Sequence, residues 1–414
     1  MTHTGMPHGG HPDDDAHGTP ALDRAQVTLR REGSGGLPLI AGGLGAVLLA
    51  VAFFVGKGQP GQLFHSYLLN WVYFTVLGLG GLFFVMLHHV TRAGWSVVVR
   101  RLAEAVGATL PVLALLFVPL AFGVRAIYPW AGGEVTHDAV VAHKSGWLAP
   151  GPFVVRAAIY LVVWSFLGWW FWRQSERQDR MGALQLTRRM QSVAAPAMVA
   201  FAITLTLAAF DWIMSLSPRW YSTVFGGYLF GGLAMSSFAL LVVLALLLQR
   251  RGALEGVVTM EHFHDLGKLM FAFVVFWIYI AFSQFMLQWY ANIPEETNWF
   301  AARLHAGWLP TTRTLVVGHF VVPFFFLLLR DVKRHRLGLW ASALWLLLME
   351  WLDLYWLIMP SLYHEGPRLH LLDVLTFLAL GLLFAGALAW TLRRRALVPV
   401  NDPRLVESLA FENV

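Results

Sequence analysis

Long apolar segments alternate with short polar stretches along almost the whole chain. Each segment is close to the roughly 17–25 residues that a helix needs to cross a bilayer. Backbone groups find no water in hydrocarbon, so such segments must be helical. The pattern predicts an all-α integral membrane protein with ten transmembrane helices. The segments are 37–55, 67–90, 105–124, 153–172, 193–216, 225–248, 269–288, 312–329, 339–359 and 373–391.

Basic residues are distributed unevenly between the two sides of this predicted zigzag. Of the 30 Lys and Arg residues, 22 fall in the two terminal regions and in the loops after the second, fourth, sixth and eighth segments. The positive-inside rule therefore predicts that both termini are cytoplasmic. The net charge of +6 follows from this topology. The basic residues are dispersed along one membrane face and do not indicate a nucleic-acid partner.

Tryptophan and tyrosine residues are frequent on the opposite predicted side. Both side chains favour the level of the lipid headgroups, so they could form an ordinary aromatic girdle. They also occur in the long predicted loops 125–152 and 290–311, which favours a docking surface for a protein outside the cytoplasm. The residues are Trp71, Tyr73, Trp130, Trp147, Trp212, Trp220, Tyr221, Trp289, Tyr290, Trp299, Trp308, Trp356 and Tyr363.

The first 36 residues contain no apolar segment and are predicted to form a disordered cytoplasmic tail, with no cleaved signal peptide. Four histidines in this tail (His3, His8, His11 and His17) could bind a metal, but a solvated tail is more typical of such a composition. No metal site is predicted.

The chain contains no cysteine. Iron–sulfur clusters are held by Cys thiolates, and c-type haem is attached through a Cys-x-x-Cys-His segment. Haem b has little support either, because His319 is the single histidine well inside an apolar segment. The chain is therefore expected to carry no covalently bound cofactor and not to conduct electrons over a distance.

The second to fifth and the sixth to ninth segments share a weak internal similarity. Tyr73 is followed by Gly80 and Gly81, just as Tyr228 is followed by Gly231 and Gly232. Two units of four helices would have the same orientation, as in a parallel repeat. The predicted organisation is a tail (1–36), a first helix with an outer loop (37–66), two four-helix bundles (67–222 and 223–363), and a last helix with a cytoplasmic tail (364–414).

Two acidic residues lie close together in the ninth segment. Glu350 and Asp353 are three residues apart and so share one helix face near the middle of the membrane. Ionisable groups at this depth are costly and are functional candidates by default. Two neighbouring carboxylates do not both ionise easily, and a carboxyl near neutrality can pass protons. The alternative is a structural pair satisfied by a neighbouring hydroxyl or basic group.

Other titratable residues extend this set across the membrane as an interrupted proton path. Asp211 could accept a proton from a quinol, or could form an interfacial ion pair with Arg219. His319 could relay protons or satisfy a contact in the core. The inner group could load protons, although an acidic residue near a helix start is also common for structural reasons. The inner group comprises His88, His89, His264, Asp265 and Lys268.

Three central stretches resemble the ActF-type membrane protein of bacterial alternative complex III, and more distantly the NrfD/polysulfide-reductase membrane-anchor family. They are FDWIMSLSPRWYST (210–223), HDLGKLMFAF (264–273) and FSQFMLQWYANIPEET (282–297). The resemblance implies one membrane component of a quinol:cytochrome c oxidoreductase in the bacterial inner membrane. It also implies partner chains: a sister NrfD-like membrane protein, a periplasmic iron–sulfur/molybdopterin-like protein, haem c proteins and, as a further partner, a terminal oxidase.

The expected role is to support quinol oxidation and proton translocation through the buried carboxylates. A quinone site is expected at Asp211, Trp212, Trp220 and Tyr221. Two alternatives remain open, a purely structural anchor for periplasmic redox proteins and a stand-alone secondary transporter.

Overall fold

The computed structural model describes residues 27–28, 36–132, 139–393 and 395–413, and these are mainly helical without a β-strand. Apart from Val27, Thr28 and Gly36, the predicted disordered tail lies outside the described residues. The helices are α1 (Leu37–Gly56), α2 (Pro60–Val90), α3 (Val97–Gly107), α4 (Leu110–Leu115), α5 (Val118–Ile127), α6 (Ala139–His143), α7 (Pro150–Met181), α8 (Leu184–Trp212), α9 (Phe225–Arg250), α10 (Met260–Ala291), α11 (Pro294–Leu304), α12 (Leu309–Leu315), α13 (Val322–Leu328), α14 (Arg330–Arg334), α15 (Arg336–Ile358), α16 (Leu371–Leu392) and α17 (Leu405–Leu409).

The protein is a multi-pass membrane protein. In the part of the chain that the structure describes, nine helices are long and apolar enough to cross a membrane. A tenth span results if α3, α4 and α5 count as one broken span, with a bend of 60° before α5. Pro111 and Pro119 lie in the first turns of α4 and α5. A proline lacks the backbone N–H that a continuous helix requires, so these positions explain the breaks.

The eighth span is interrupted in a different way. Between α12 and α13 the residues Val316–Val321 form a π-helical segment. Such segments widen the helix locally and often occur at functional sites. Here the segment contains His319, whose side chain is fully buried.

Helices α2 and α9 form the centre of the molecule, because their apolar segments are almost entirely covered by other helices. Helix α2 packs against α3, α8, α9 and α16, whereas α9 packs against α10 and α15. Helix α1 lies at the periphery and packs mainly against α16. Gly45 permits this close packing, because a Cβ there would lie 2.9 Å from the carbonyl oxygen of Ala379.

Most of the aromatic residues that were expected at the outer surface are internal. Eight of the thirteen are buried. Several of their indole N–H groups bond within the protein, as from Trp71 to the carbonyl of Leu113 at 2.8 Å and from Trp308 to that of Tyr363 at 2.8 Å. A buried indole usually finds such a partner. The exposed members are Trp147, Tyr221, Trp289 and Tyr290, so the predicted outer docking surface is largely an aromatic core.

The C-terminal segment 395–413 folds back across the end of the bundle where the arginine-rich loops lie. The amide of Leu397 donates to the carbonyl of Val27 at 2.7 Å. The hydroxyl of Ser408 donates to the carbonyl of Trp95 at 2.6 Å. The side chain of Lys268 donates to Asn413 at 2.8 Å. This segment is therefore a packed cap on the bundle.

A buried ionic cluster lies beneath this cap. Arg100 pairs with Asp402 of the C-terminal segment and with Glu104 on its own helix. Arg101 pairs with Glu104 and, at 2.5 Å, with Asp179 at the end of α7. The sequence analysis counted both arginines among the basic residues of the cytoplasmic loop after the second segment. Both are buried, and here they join α3, α7 and the C-terminal segment.

Candidate functional site

Glu350 and Asp353 lie side by side on the face of α15 that packs against α9. Both side chains are buried, with exposed fractions of 1% and 2%. The space for Glu350 comes from Gly232 on α9, because a Cβ at that position would overlap the Glu350 carboxylate. The predicted spacing on one face is therefore present, and α9 provides the opposite wall.

Asp353 is satisfied by two neighbouring helices. The Tyr228 hydroxyl on α9 donates to one carboxylate oxygen of Asp353 at 2.5 Å. The Trp277 indole N–H on α10 donates to the other oxygen at 3.2 Å. Neither residue was identified from the sequence as part of this site, although Tyr228 was noted in the internal repeat. Asp353 thus matches the predicted alternative of a carboxyl satisfied by a hydroxyl.

Glu350 is different. Its Oε2 atom is buried and has no hydrogen-bond partner among the described residues. A buried polar atom without a partner costs free energy, and such atoms are rare in native proteins. In this pair the Asp353 carboxylate accepts hydrogen bonds on both oxygens, whereas Oε2 of Glu350 remains available for a further hydrogen bond.

His319 approaches this pair through Trp277. The two rings stack with a centroid separation of 3.9 Å. The Nε2 atom of His319 lies 3.3 Å from the sulfur of Met235, and its Nδ1 atom has no partner among the described residues. Trp277 therefore contacts His319 by stacking and Asp353 by hydrogen bonding. His319 makes no direct bond to either carboxyl in this structure.

An apolar cavity of about 260 Å³ lies on the side of the two donors to Asp353. Tyr228 and Trp277 are in its wall, so the donors to Asp353 also face the cavity. The other lining residues come from α10, α11, α12, the π-helical segment and α15. They are Ile278, Ala281, Phe282, Gln284, Phe285, Phe300, Leu304, Thr312, Leu315, Val316 and Trp356.

A larger and more polar hollow of about 680 Å³ lies at the aromatic end of the bundle. Arg303 on α11 lies in its wall and is buried. Its guanidinium donates to the carbonyls of Trp299, Trp356 and Leu357. Burial lowers the pKa of Arg303 to about 9, so it still carries a positive charge near neutral pH. Helix α11 contributes residues to the walls of both this hollow and the apolar cavity.

Asp211 is held in a separate polar cluster at the C-terminal end of α8. The guanidinium of Arg156 donates to both carboxylate oxygens of Asp211, at 2.8 and 2.9 Å. Trp147 and Tyr160 donate to it at 2.8 and 2.9 Å. The sequence left open an interfacial ion pair with Arg219 as one of two alternatives. In the structure the cation that pairs with Asp211 is Arg156.

The four residues predicted to bind quinone have different surroundings. Trp212 is buried against Trp71, with ring centroids 4.8 Å apart. Trp220 stacks on Trp299 at 4.2 Å and lines the polar hollow. Tyr221 is exposed. The carboxylate of Asp211 already accepts hydrogen bonds from Arg156, Trp147 and Tyr160. Neither the apolar cavity nor the polar hollow contains all four.

The inner titratable residues are spread over α2 and α10. His88 bonds through Nδ1 to the carbonyl of Phe84 at 2.7 Å. Asp265 pairs with Lys268. His89 and His264 each have a buried ring nitrogen without a partner among the described residues. Within the described part of the chain, no series of hydrogen bonds connects this group with Glu350 or Asp353.

Another buried carboxyl, that of Asp373 at the start of α16, was missed as a site residue. The hydroxyl of Ser66 on α2 donates to it at 2.6 Å. The adjacent Asn70 donates to Thr376 at 2.8 Å and accepts from Trp351 at 2.8 Å. The sequence placed Asp373 only as the boundary of an apolar segment. Its position three residues after His370, as the acidic member of a capping box, is the signal for a structural role.

No protein-family model matches this chain, and no curated protein shows significant similarity to it. The geometry of the acid pair and the resemblance of the three central stretches are therefore the basis for the function proposed next.

Proposed function

We propose that this chain is a membrane component of a bacterial quinol:cytochrome c oxidoreductase of the alternative complex III type, and that it moves protons through Glu350 and Asp353. The observation that carries the proposal is the fully buried acid pair, in which one oxygen of Glu350 has no partner among the described residues. Ionisable groups are expensive at membrane depth and are typical of proton relays.

The two carboxyls are suited to share one proton. Two like charges on one buried helix face do not easily ionise together, which favours one proton shared between the two carboxyls. The donors Tyr228 and Trp277 favour the ionised form of Asp353. Glu350 then holds the proton, and its open oxygen is the position at which a proton arrives or departs. Asp353 and Tyr228 provide the next step toward the aromatic end.

The rest of the proposal concerns the assembly. Helices α2–α8 and α9–α15 correspond to two parallel four-helix units, and the peripheral pair α1 and α16 flanks them. The protein lies in the inner membrane of a bacterial cell, and both of its termini are in the cytoplasm. Since the chain has no cysteine, the iron–sulfur clusters and haem c belong to partner proteins on the outer side, beside a sister NrfD-like membrane protein. A terminal oxidase is a further proposed partner.

The test is proton release by the purified complex in sealed vesicles, measured with a pH indicator while electron transfer is followed optically. Glu350→Gln and Asp353→Asn are expected to lower the protons released per electron while electron transfer changes by about twofold or less. Glu365→Gln is the control, because Glu365 is an exposed residue paired with Arg368 at 2.8 Å. If both acid variants keep full proton release, the chain acts as an anchor for the redox proteins. Purification of the chain without iron–sulfur or haem partners would contradict the assembly.

A further inference from the structure

The apolar cavity lined by Tyr228 and Trp277, the two donors to Asp353, has the features of a ligand site that the sequence did not indicate. We propose that it binds the ring of a lipid-soluble quinol that arrives from the bilayer, an inference that rests on the proposed function. The site lies among α10, α11, α12 and α15. It is distinct from the predicted quinone site at Asp211 and Trp212 on α8.

The cavity is accessible from the side of the helix bundle. Phe282 on α10 and Val316 in the π-helical segment line it and are also exposed, with exposed fractions of 56% and 47%. Both belong to spans that are apolar enough to cross a membrane, so the surface around them faces hydrocarbon. A ligand can therefore reach the cavity by lateral diffusion in the bilayer.

The volume and lining favour a single ring. A cavity of about 260 Å³ is slightly below the roughly 300 Å³ at which ligand pockets commonly begin. It accommodates a ring and leaves an isoprenoid tail outside, between Phe282 and Val316. Aromatic residues on several sides of the cavity, such as Phe285 and Phe300, provide faces on which a flat ring can pack.

Few polar groups reach this space, and they are suited to the oxygens of a quinol. The Tyr228 hydroxyl gives its proton to Asp353, so its oxygen can accept a hydrogen bond from a ligand hydroxyl. Gln284 accepts at its side-chain oxygen from Ser222 at 2.8 Å, and its amide group has donors for a second ligand oxygen. Few polar groups in a mostly apolar pocket are typical of such sites. Tyr228 then bonds the ligand on one side and Asp353 on the other.

Asp211 is less suited to this ligand. Its carboxylate oxygens already accept four hydrogen bonds from Arg156, Trp147 and Tyr160. A quinol would have to displace at least one of these donors. A second lateral groove of about 680 Å³ between α4, α5 and α7 is also open to lipid, but its lining is apolar apart from Ser165 and the indole of Trp169. That groove provides a matched control.

The experiment uses the intact complex in lipid nanodiscs and a short-chain azido-benzoquinone as the photoreactive probe. Labelled peptides are identified by mass spectrometry. We expect labelling of α10 and of the span from α12 to α13. Ala281→Trp fills the cavity and should reduce this labelling at least tenfold. Ala158→Trp places the same side chain in the control groove and should leave the labelling unchanged.

A second variant covers the case in which Ala281→Trp prevents assembly. Gln284→Leu keeps the volume but removes the amide donors, and should weaken labelling about tenfold. Labelling confined to α7 and α8, to partner proteins, or unaffected by both variants would overturn the proposal. These outcomes are independent of proton release in the Glu350 and Asp353 variants, so the site and the proposed function can fail separately.

Discussion

At the scale of single residues, the acid pair depends on the absence of a side chain opposite it. Gly232 leaves space for the Glu350 carboxylate, and a Cβ there would overlap it. Gly227 lies on the same helix and has nothing within 4 Å of a Cβ position. Comparing alanine substitutions at these two positions therefore distinguishes an effect on the acid pair from the general effect of alanine in α9.

Gly232→Ala is accordingly expected to displace Glu350 and to reduce proton release in vesicles in the same way as Glu350→Gln. Overpacking of this kind typically costs about 1–3 kcal/mol, which lowers the thermal midpoint of the purified complex. Gly227→Ala should leave both measurements unchanged or slightly raise the midpoint, because alanine favours the helix. Equal proton release and equal thermal midpoints in the two variants would show that the contact between Gly232 and Glu350 does not affect function.

The sequence predicted part of this site. The spacing of Glu350 and Asp353 was sufficient to place both on one face. Their partners were not predictable, because Tyr228 and Trp277 are 125 and 76 residues from Asp353 along the chain. The partner of Asp211 was missed for the same reason. Arg219, which is close in sequence, was considered, whereas Arg156, which is farther along the chain, was not. Hydropathy identifies which residues are costly to bury, but the contacts depend on how helices pack.

At the scale of helices, apolar length predicted the spans well but not their interruptions. The second segment was expected to begin at Tyr67, but α2 begins at Pro60, so much of the predicted outer loop is helical. The break between α4 and α5 and the π-helical segment around His319 lie within apolar sequence. Hydropathy does not detect them, although Pro119 and Pro323 are local signals for the first turn of a new helix.

The C-terminal segment is the element with the strongest unpredicted contacts. Removing one partner of a buried ion pair typically costs roughly 3–5 kcal/mol. Asp402→Asn leaves Arg100 with Glu104 as its remaining acid and should loosen this segment. Hydrogen exchange of residues 395–413 should accelerate by roughly 100-fold.

Glu407→Gln, in the same segment, is the matched control. Its pair with Arg404 is partly exposed, and such pairs contribute about 0–1 kcal/mol. Hydrogen exchange of residues 395–413 in the Glu407→Gln variant should therefore remain close to that of the unmodified protein. Slow exchange in the Asp402→Asn variant would mean that apolar contacts hold the segment without the ionic cluster.

At the scale of the whole molecule, the charge distribution and the path of the chain make one joint prediction about topology. An even number of spans, with the broken α3–α5 unit counted as one of them, predicts that both termini lie at the arginine-rich end. Tyr290 lies at the opposite end, in the last turn of α10, and Met181 lies at the arginine-rich end, where α7 finishes. Both side chains are well exposed, with exposed fractions of 85% and 70%. These positions are therefore suitable probes of the two membrane sides.

The chain contains no cysteine, so single cysteines can be introduced without background labelling. In intact spheroplasts, a membrane-impermeant maleimide is expected to label Tyr290→Cys and to leave Met181→Cys unlabelled until the membrane is opened. The reason is the excess of Lys and Arg at the Met181 end, which the positive-inside rule retains in the cytoplasm. Labelling of Met181→Cys alone in closed spheroplasts would reverse the topology. Labelling of both would contradict the assignment of α8, α9 and α10, the three helices between the two probes, to complete crossings. Under the proposed function the topology also identifies the side that Asp353 and Tyr228 face, because both lie nearer the Tyr290 end than Glu350 does.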